Sequence, residues 1–276
     1  MNQVLDERYL ENFQRLAVGL EPVDAMRSGR VGTPLAIEVE QPPKASAKPS
    51  VDRHASCLYA LLYYPKLVDS VDIRVFEDYP PYVTPTLVTQ QVLPRRFVPR
   101  RFHIPLYTLA TVDTFPYTDR VRRPFMFPGA AYDLDSCATG CRGRAVRGGK
   151  PMRWARVEAT LSTGAKPIAR AHGDDRGEFL LLLGSNAIPA GDLVSPFTLR
   201  VTVFGPAVPP VPATPDLPSL DPLWDVPMET TPAPGAPDTV STGETLPTGY
   251  TASSGPKNID FVIGEIRSGL ADFNVV

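Results

Sequence analysis

The sequence predicts a mainly β protein: two tandem antiparallel β-sandwich modules, a short N-terminal helix and an extended proline-rich C-terminal arm. Three observations predict it. First, Trp154, Arg156, Glu158 and Thr160 alternate with Ala155, Val157, Ala159 and Leu161, the period of two that gives a strand two unlike faces. Second, 178–183 is almost wholly apolar after its first residue, as a strand inside a sandwich would be. It follows HisGlyAspAspArgGly at 172–177, whose Gly and Asp residues suit a turn. Third, the chain holds 32 prolines, roughly twice the usual share of about 5%. Proline is barred from helix interiors and central strands, so the excess points to loops, edges and linkers.

At the N-terminus, Leu5, Tyr9, Leu10, Phe13, Leu16 and Ala17 fall at three- and four-residue spacings. That predicts a short amphipathic helix over 5–17, ended by Gly19 and Pro22. It would dock on its own domain or bind a partner. No basic segment followed by an apolar core precedes it, so no secretory leader is expected. A cytoplasmic protein is the expectation, and one released by lysis as part of a particle would look the same.

The alternation of 35–40 predicts a strand, and 41–50 is a loop by composition. Leu58 to Tyr64 and Val71 to Phe76 read as further strands. These pieces recur later. GlyThrPro and 35–40 match GlyLysPro and 152–159; 59–63 matches 179–183; 72–76 matches 199–204. The order is kept, which supports two related modules. The expected divisions are a helix at 1–19, a first module at 20–106, a connector at 107–142, a second module at 143–205 and the arm at 206–276.

Near the connector stand the doublets Arg95-Arg96, Arg100-Arg101 and Arg122-Arg123, interleaved with Phe97 and Phe102. Basic and aromatic residues together can bind nucleic acid, but the net charge of -2 is not that of a nucleic-acid protein. Extended segments using Arg for ion pairs between domains or subunits fit better.

The arm cannot bury a core of its own along its proline-rich runs. Leu220, Leu223, Trp224 and Met228 interrupt it as an apolar island, and Phe261 and Ile263 lie in a strand-like stretch at 258–266. These six are the candidate partner-binding residues, because apolar groups on a polar linker gain free energy only by finding a surface. Whether that surface belongs to this chain or to a neighbour stays open.

No catalytic constellation appears. His54, His103 and His172 lack a carboxylate and nucleophile in a recognisable arrangement. Cys137 and Cys141 form Cys-x3-Cys beside Asp133 and Asp135, but zinc needs four ligands and no second pair stands at a suitable spacing. Structural thiols are expected, with a 137–141 redox pair as the alternative; Cys57 would join only if the fold brought it near. The spacing of Asp174, Asp175 and Glu178 is not an EF-hand, and a turn explains them. The glycines of 143–149 lead into a strand, without the helix N-terminus that binds phosphate. No cofactor or metal is expected.

GlyArgAlaValArgGlyGlyLysPro, then TrpAlaArgValGluAla, then AspAspArgGlyGluPheLeuLeuLeu, resembles the carboxypeptidase regulatory-like domain over about 143–204, with a weaker copy over about 20–106. The resemblance implies a transthyretin-like, seven-strand sandwich and an accessory module without catalytic residues. Two such modules with PheValProArgArg between them are also similar to accessory components of phage tail-like contractile injection systems. The expected function is therefore non-enzymatic: a structural or adaptor subunit of a large assembly, with other subunits as partners, neither nucleic acid nor a membrane span involved, and homo-oligomerisation within the complex an option. The alternative is a carbohydrate- or cell-surface-binding module with an aromatic platform of Tyr63, Tyr64, Tyr79 and Tyr82.

Overall fold

The structure, a computed structural model, describes residues 15–40, 51–56, 58–64, 67, 69–77, 95–184 and 195–276. The protein is mainly β. The first stretch supplies β1 (Leu16–Leu20), β2 (Val23–Asp24), β3 (Leu35–Glu40), β4 (Asp52–Arg53), β5 (Tyr59–Leu62) and β6 (Ser70–Glu77). Next come β7 (Arg100–Pro105), β8 (Val121–Arg122), β9 (Phe125–Met126), β10 (Thr139–Arg147), β11 (Lys150–Pro151), β12 (Arg156–Thr160), β13 (Ala169–His172), β14 (Glu178–Leu183) and β15 (Phe197–Gly205). One helical turn, α1 (Leu217–Leu220), precedes β16 (Met228–Thr230), β17 (Ala252–Ser253), β18 (Lys257–Phe261), β19 (Ile266–Arg267) and β20 (Phe273–Asn274). Among the described residues no helix is long and apolar enough to cross a membrane.

Two pairs of sheets surround two main cores. The sheets β4-β5-β1-β8 and β16-β7-β6-β3 contribute Leu20, Leu61, Ile73, Phe102 and Ile104 to the first. The sheets built on β10-β14 and on β12-β15 contribute Val157, Leu181, Val201 and Phe261 to the second. The halves share a pairing scheme. β1 pairs antiparallel with β5 as β10 does with β14; β3-β6-β7 run antiparallel as β12-β15-β18 do. β8 lies parallel on β1 as β19 lies parallel on β10. They differ at β4, which joins β5, whereas β13 joins β12.

The apolar run of β14 has two uses. Phe179, Leu181 and Leu183 face the second core, and the intervening Leu180 and Leu182 reach the first. A strand buried on both faces has no polar side to alternate with, which is why this run is continuous. The turn before it is built by Asp174, whose Oδ1 accepts from the N–H groups of Arg176 and Glu178. Gly177 closes it at φ +74°, where a Cβ would sit 2.5 Å from the Ala145 carbonyl oxygen.

Several expectations change here. Most of the helix expected over 5–17 lies outside the described residues, and its last members, Leu16 and Ala17, belong to β1. Leu161, which the alternation places with Val157 and Ala159, is 48% exposed just past the end of β12. The connector at 107–142 contributes β8, β9 and the start of β10. The arm at 206–276 is not a separate tether. It supplies five strands, β16–β20, to sheets of the preceding chain, and Ile259, Phe261, Phe273 and Val275 fill the second core.

Candidate functional site

Trp154, Arg156, Glu158 and Thr160 share a face, and its first two members are covered. Trp154 is 2% and Arg156 4% exposed, because the arm crosses over them. Proline fixes the arm's direction, and acidic residues spaced along it meet arginines of the sheets. Asp221 receives two hydrogen bonds from Arg74, at 2.8 and 2.7 Å. Asp225 pairs with Arg153 and accepts from the Trp154 indole N–H at 2.7 Å. Glu229 is buried between Arg100 of β7 and Arg156 of β12. Asp238 pairs with Arg122 of β8.

The Glu229 site is a closed network. Arg100 donates to both Glu229 oxygens and to the carbonyls of Phe125, Val240 and Ser241, so all its nitrogens are used. Arg156 donates to Glu229 at 3.0 Å and to the Trp154 carbonyl at 3.0 Å. Buried charges persist only when paired and hydrogen-bonded in this way. Beside them His172, stacked on Phe127 at 3.8 Å, is buried, and its pKa is held well below 6.5 by desolvation and by the two arginines.

Above this network lies an open groove of about 800 Å³, lined by Trp154, Trp224, Met228 and Tyr250, by prolines of 206–210, and by Arg147 and Lys150. Trp154 forms part of its floor in a left-handed backbone conformation, φ 58°. That conformation costs a non-glycine residue about 1–3 kcal/mol. It is held by the indole bond to Asp225 and by two donors on its carbonyl, Arg156 and the Tyr250 hydroxyl.

The six candidate partner-binding residues separate. Leu223 is buried with Val98, Trp154 and Val226, and Phe261 is fully buried in the second core, so the chain itself consumes both. Trp224 and Met228 are half-buried and line the groove together. Leu220 and Ile263 are exposed, at 63% and 37%, and do not line it. Reasoning from sequence missed Arg100, Arg156 and Glu229 as one unit. The alternation hid Arg156 on the outer face, and Glu229 looked like any charge on a linker.

The arginine doublets make ion pairs within the chain: Arg96 with Asp133, Arg101 with Glu40 and Arg123 with Glu21 join those above. His103 does have a carboxylate neighbour, Asp72 at 2.6 Å across β6 and β7, which the sequence could not show. His54 bonds Ser56 in an exposed turn. Cys141 is buried, its thiol pushed up to about 12 by desolvation, whereas Cys137 is exposed; both are free. Among the described residues no three His, Cys, Asp or Glu side chains cluster as metal ligands would. Cys57, Tyr79 and Tyr82 lie outside the described residues or have side chains that do. Tyr63 donates to the Tyr107 carbonyl and packs on the first core.

No protein-family model, curated protein or solved structure matches this chain.

Proposed function

We propose that the protein is a non-enzymatic structural or adaptor subunit of a large protein assembly, of the phage tail-like contractile injection kind, acting in the cytoplasm or within the assembled particle. On this reading the chain is two tandem sandwich modules of related design, each an accessory module. Their shared pairing scheme supports the relation.

One observation carries the reading: Glu229 of the arm binds an arginine from each half. A charge buried between both halves makes their separation costly, as a scaffold requires. The polar groups of the buried network are occupied by one another, whereas the groove above remains open to a partner. The test is purification of the native particle from its source under mild conditions, followed by mass spectrometry and sizing. The chain is expected in a large fraction at fixed ratio to other subunits. Recovery only as a free monomer would overturn the reading.

A further inference from the structure

Among the described residues, strand β16 sits at the edge of its sheet, paired only with β7. The register aligns Met228, Glu229 and Thr230 with Arg101, Phe102 and His103, and the Thr231 N–H donates to the His103 carbonyl. In a parallel ladder this phase turns the backbone groups of Glu229 toward β7. It turns the N–H and C=O groups of Met228 and Thr230 the other way, to the unpaired side. Both residues line the groove. Pro227 and Pro232 flank the strand and keep the open edge short.

The groove's charge is unbalanced. Asp225 is neutralised by Arg153 and accepts a hydrogen bond from the Trp154 indole. Lys150 is exposed, and the Arg147 Nη2 is buried without a hydrogen-bond partner. Among the described residues neither makes an ion pair. The apolar walls, the open strand edge and the two uncompensated cations occur in one place.

We propose that this groove captures an extended acidic peptide of a partner protein, which adds a strand to β16, lays apolar side chains against Trp224 and Met228, and sets carboxylates on Arg147 and Lys150. Main-chain bonds to Met228 and Thr230 would supply affinity, and the side-chain contacts specificity. This deepens the adaptor reading and rests on it.

The probe is a fluorescein-labelled, end-blocked peptide, Val-Thr-Val-Thr-Val-Glu-Glu, titrated into the full-length chain by fluorescence polarisation. Saturable binding is expected. Changing both Glu to Lys, or N-methylating alternate amides on the pairing side, should each weaken it at least about tenfold. Arg147→Glu with Lys150→Glu should reverse the charge preference; should that variant not fold, Lys150→Glu on its exposed side chain should still weaken the acidic peptide severalfold. Equal affinity for the Glu and Lys peptides, indifference to N-methylation, or no saturable binding by about 1 mM would each overturn the proposal. So would self-association of the chain abolished by Lys150→Glu, which would make a second copy the occupant. The adaptor reading fails on different ground, when the native chain is recovered alone even though the peptide binds.

Discussion

Glu229 accepts from Arg100 at 3.0 and 2.6 Å and from Arg156 at 3.0 Å, so one carboxylate from the arm is shared by a guanidinium from each half. Removing it leaves two buried cations without a counterion. Glu229→Ala should therefore cost about 3–5 kcal/mol in urea titration, the range for breaking a buried pair. Replacing all three residues with apolar ones should not restore stability here. It would leave the Phe125 carbonyl without its Arg100 donor, at about 1–3 kcal/mol, and take one of two donors from the carbonyls of Val240 and Ser241. A loss under about 1 kcal/mol for Glu229→Ala would place this site near solvent.

The two faces of β14 predict a matched pair of effects. Phe179→Ala should cost about 3–5 kcal/mol and Leu180→Ala about 2–5 kcal/mol, although the side chains point to opposite cores. Leu161→Ala, at an exposed position, should change stability by less than about 0.5 kcal/mol. A near-neutral Leu180→Ala in the same denaturant series would mean that this face of β14 is not packed.

Acid should destabilise the fold through His172. Its folded pKa lies well below 6.5, so as pH falls through 6.5 the unfolded chain takes up a proton that the folded chain refuses. Its contribution to stability is full above pH 6.5 and declines progressively below it. His172→Gln should flatten the stability–pH curve between about pH 6.5 and 5. An unchanged slope in that window would show that the ring protonates freely in the fold.

The thiols should differ in reactivity. Cys137 should be modified by a maleimide in native protein at neutral pH, and Cys141 only after unfolding, because its thiol is buried and pushed up to about 12. Equal rates, read by intact mass, would contradict the burial of Cys141.

Truncation after Pro256 should remove β18–β20 and with them Ile259, Phe261, Phe273 and Val275. The second half should then lose its cooperative unfolding transition. A fully cooperative transition in the truncated chain would show these strands to be dispensable.

The strands of the two halves were legible because alternation at 35–40, 71–76 and 199–204 reports directly which side chains share a face. Alternation does not report what covers the other face. Arg156 and Trp154 therefore read as outward, although the arm buries them. Two-residue strands such as β8, β17, β19 and β20 are too short to carry any period. The apolar island of the arm was visible, but burial of Leu223 alongside partial exposure of Trp224 depends on where the arm crosses Val98 and Trp154. That crossing is fixed by acid–arginine pairs between residues up to 147 positions apart. No local pattern contains such a distance.

The placement of β16–β20 also orders events during synthesis. The edge of β7 is covered only by residues 228–230, and β10 and β15 receive their last partners from 252–274. Neither half can complete its sheets until these residues have been made. Until then the nascent protein exposes open sheet edges, the surfaces most prone to wrong pairing. Chains stalled on the ribosome before residue 228 should therefore bind a chaperone more tightly than chains in which 228–274 have emerged.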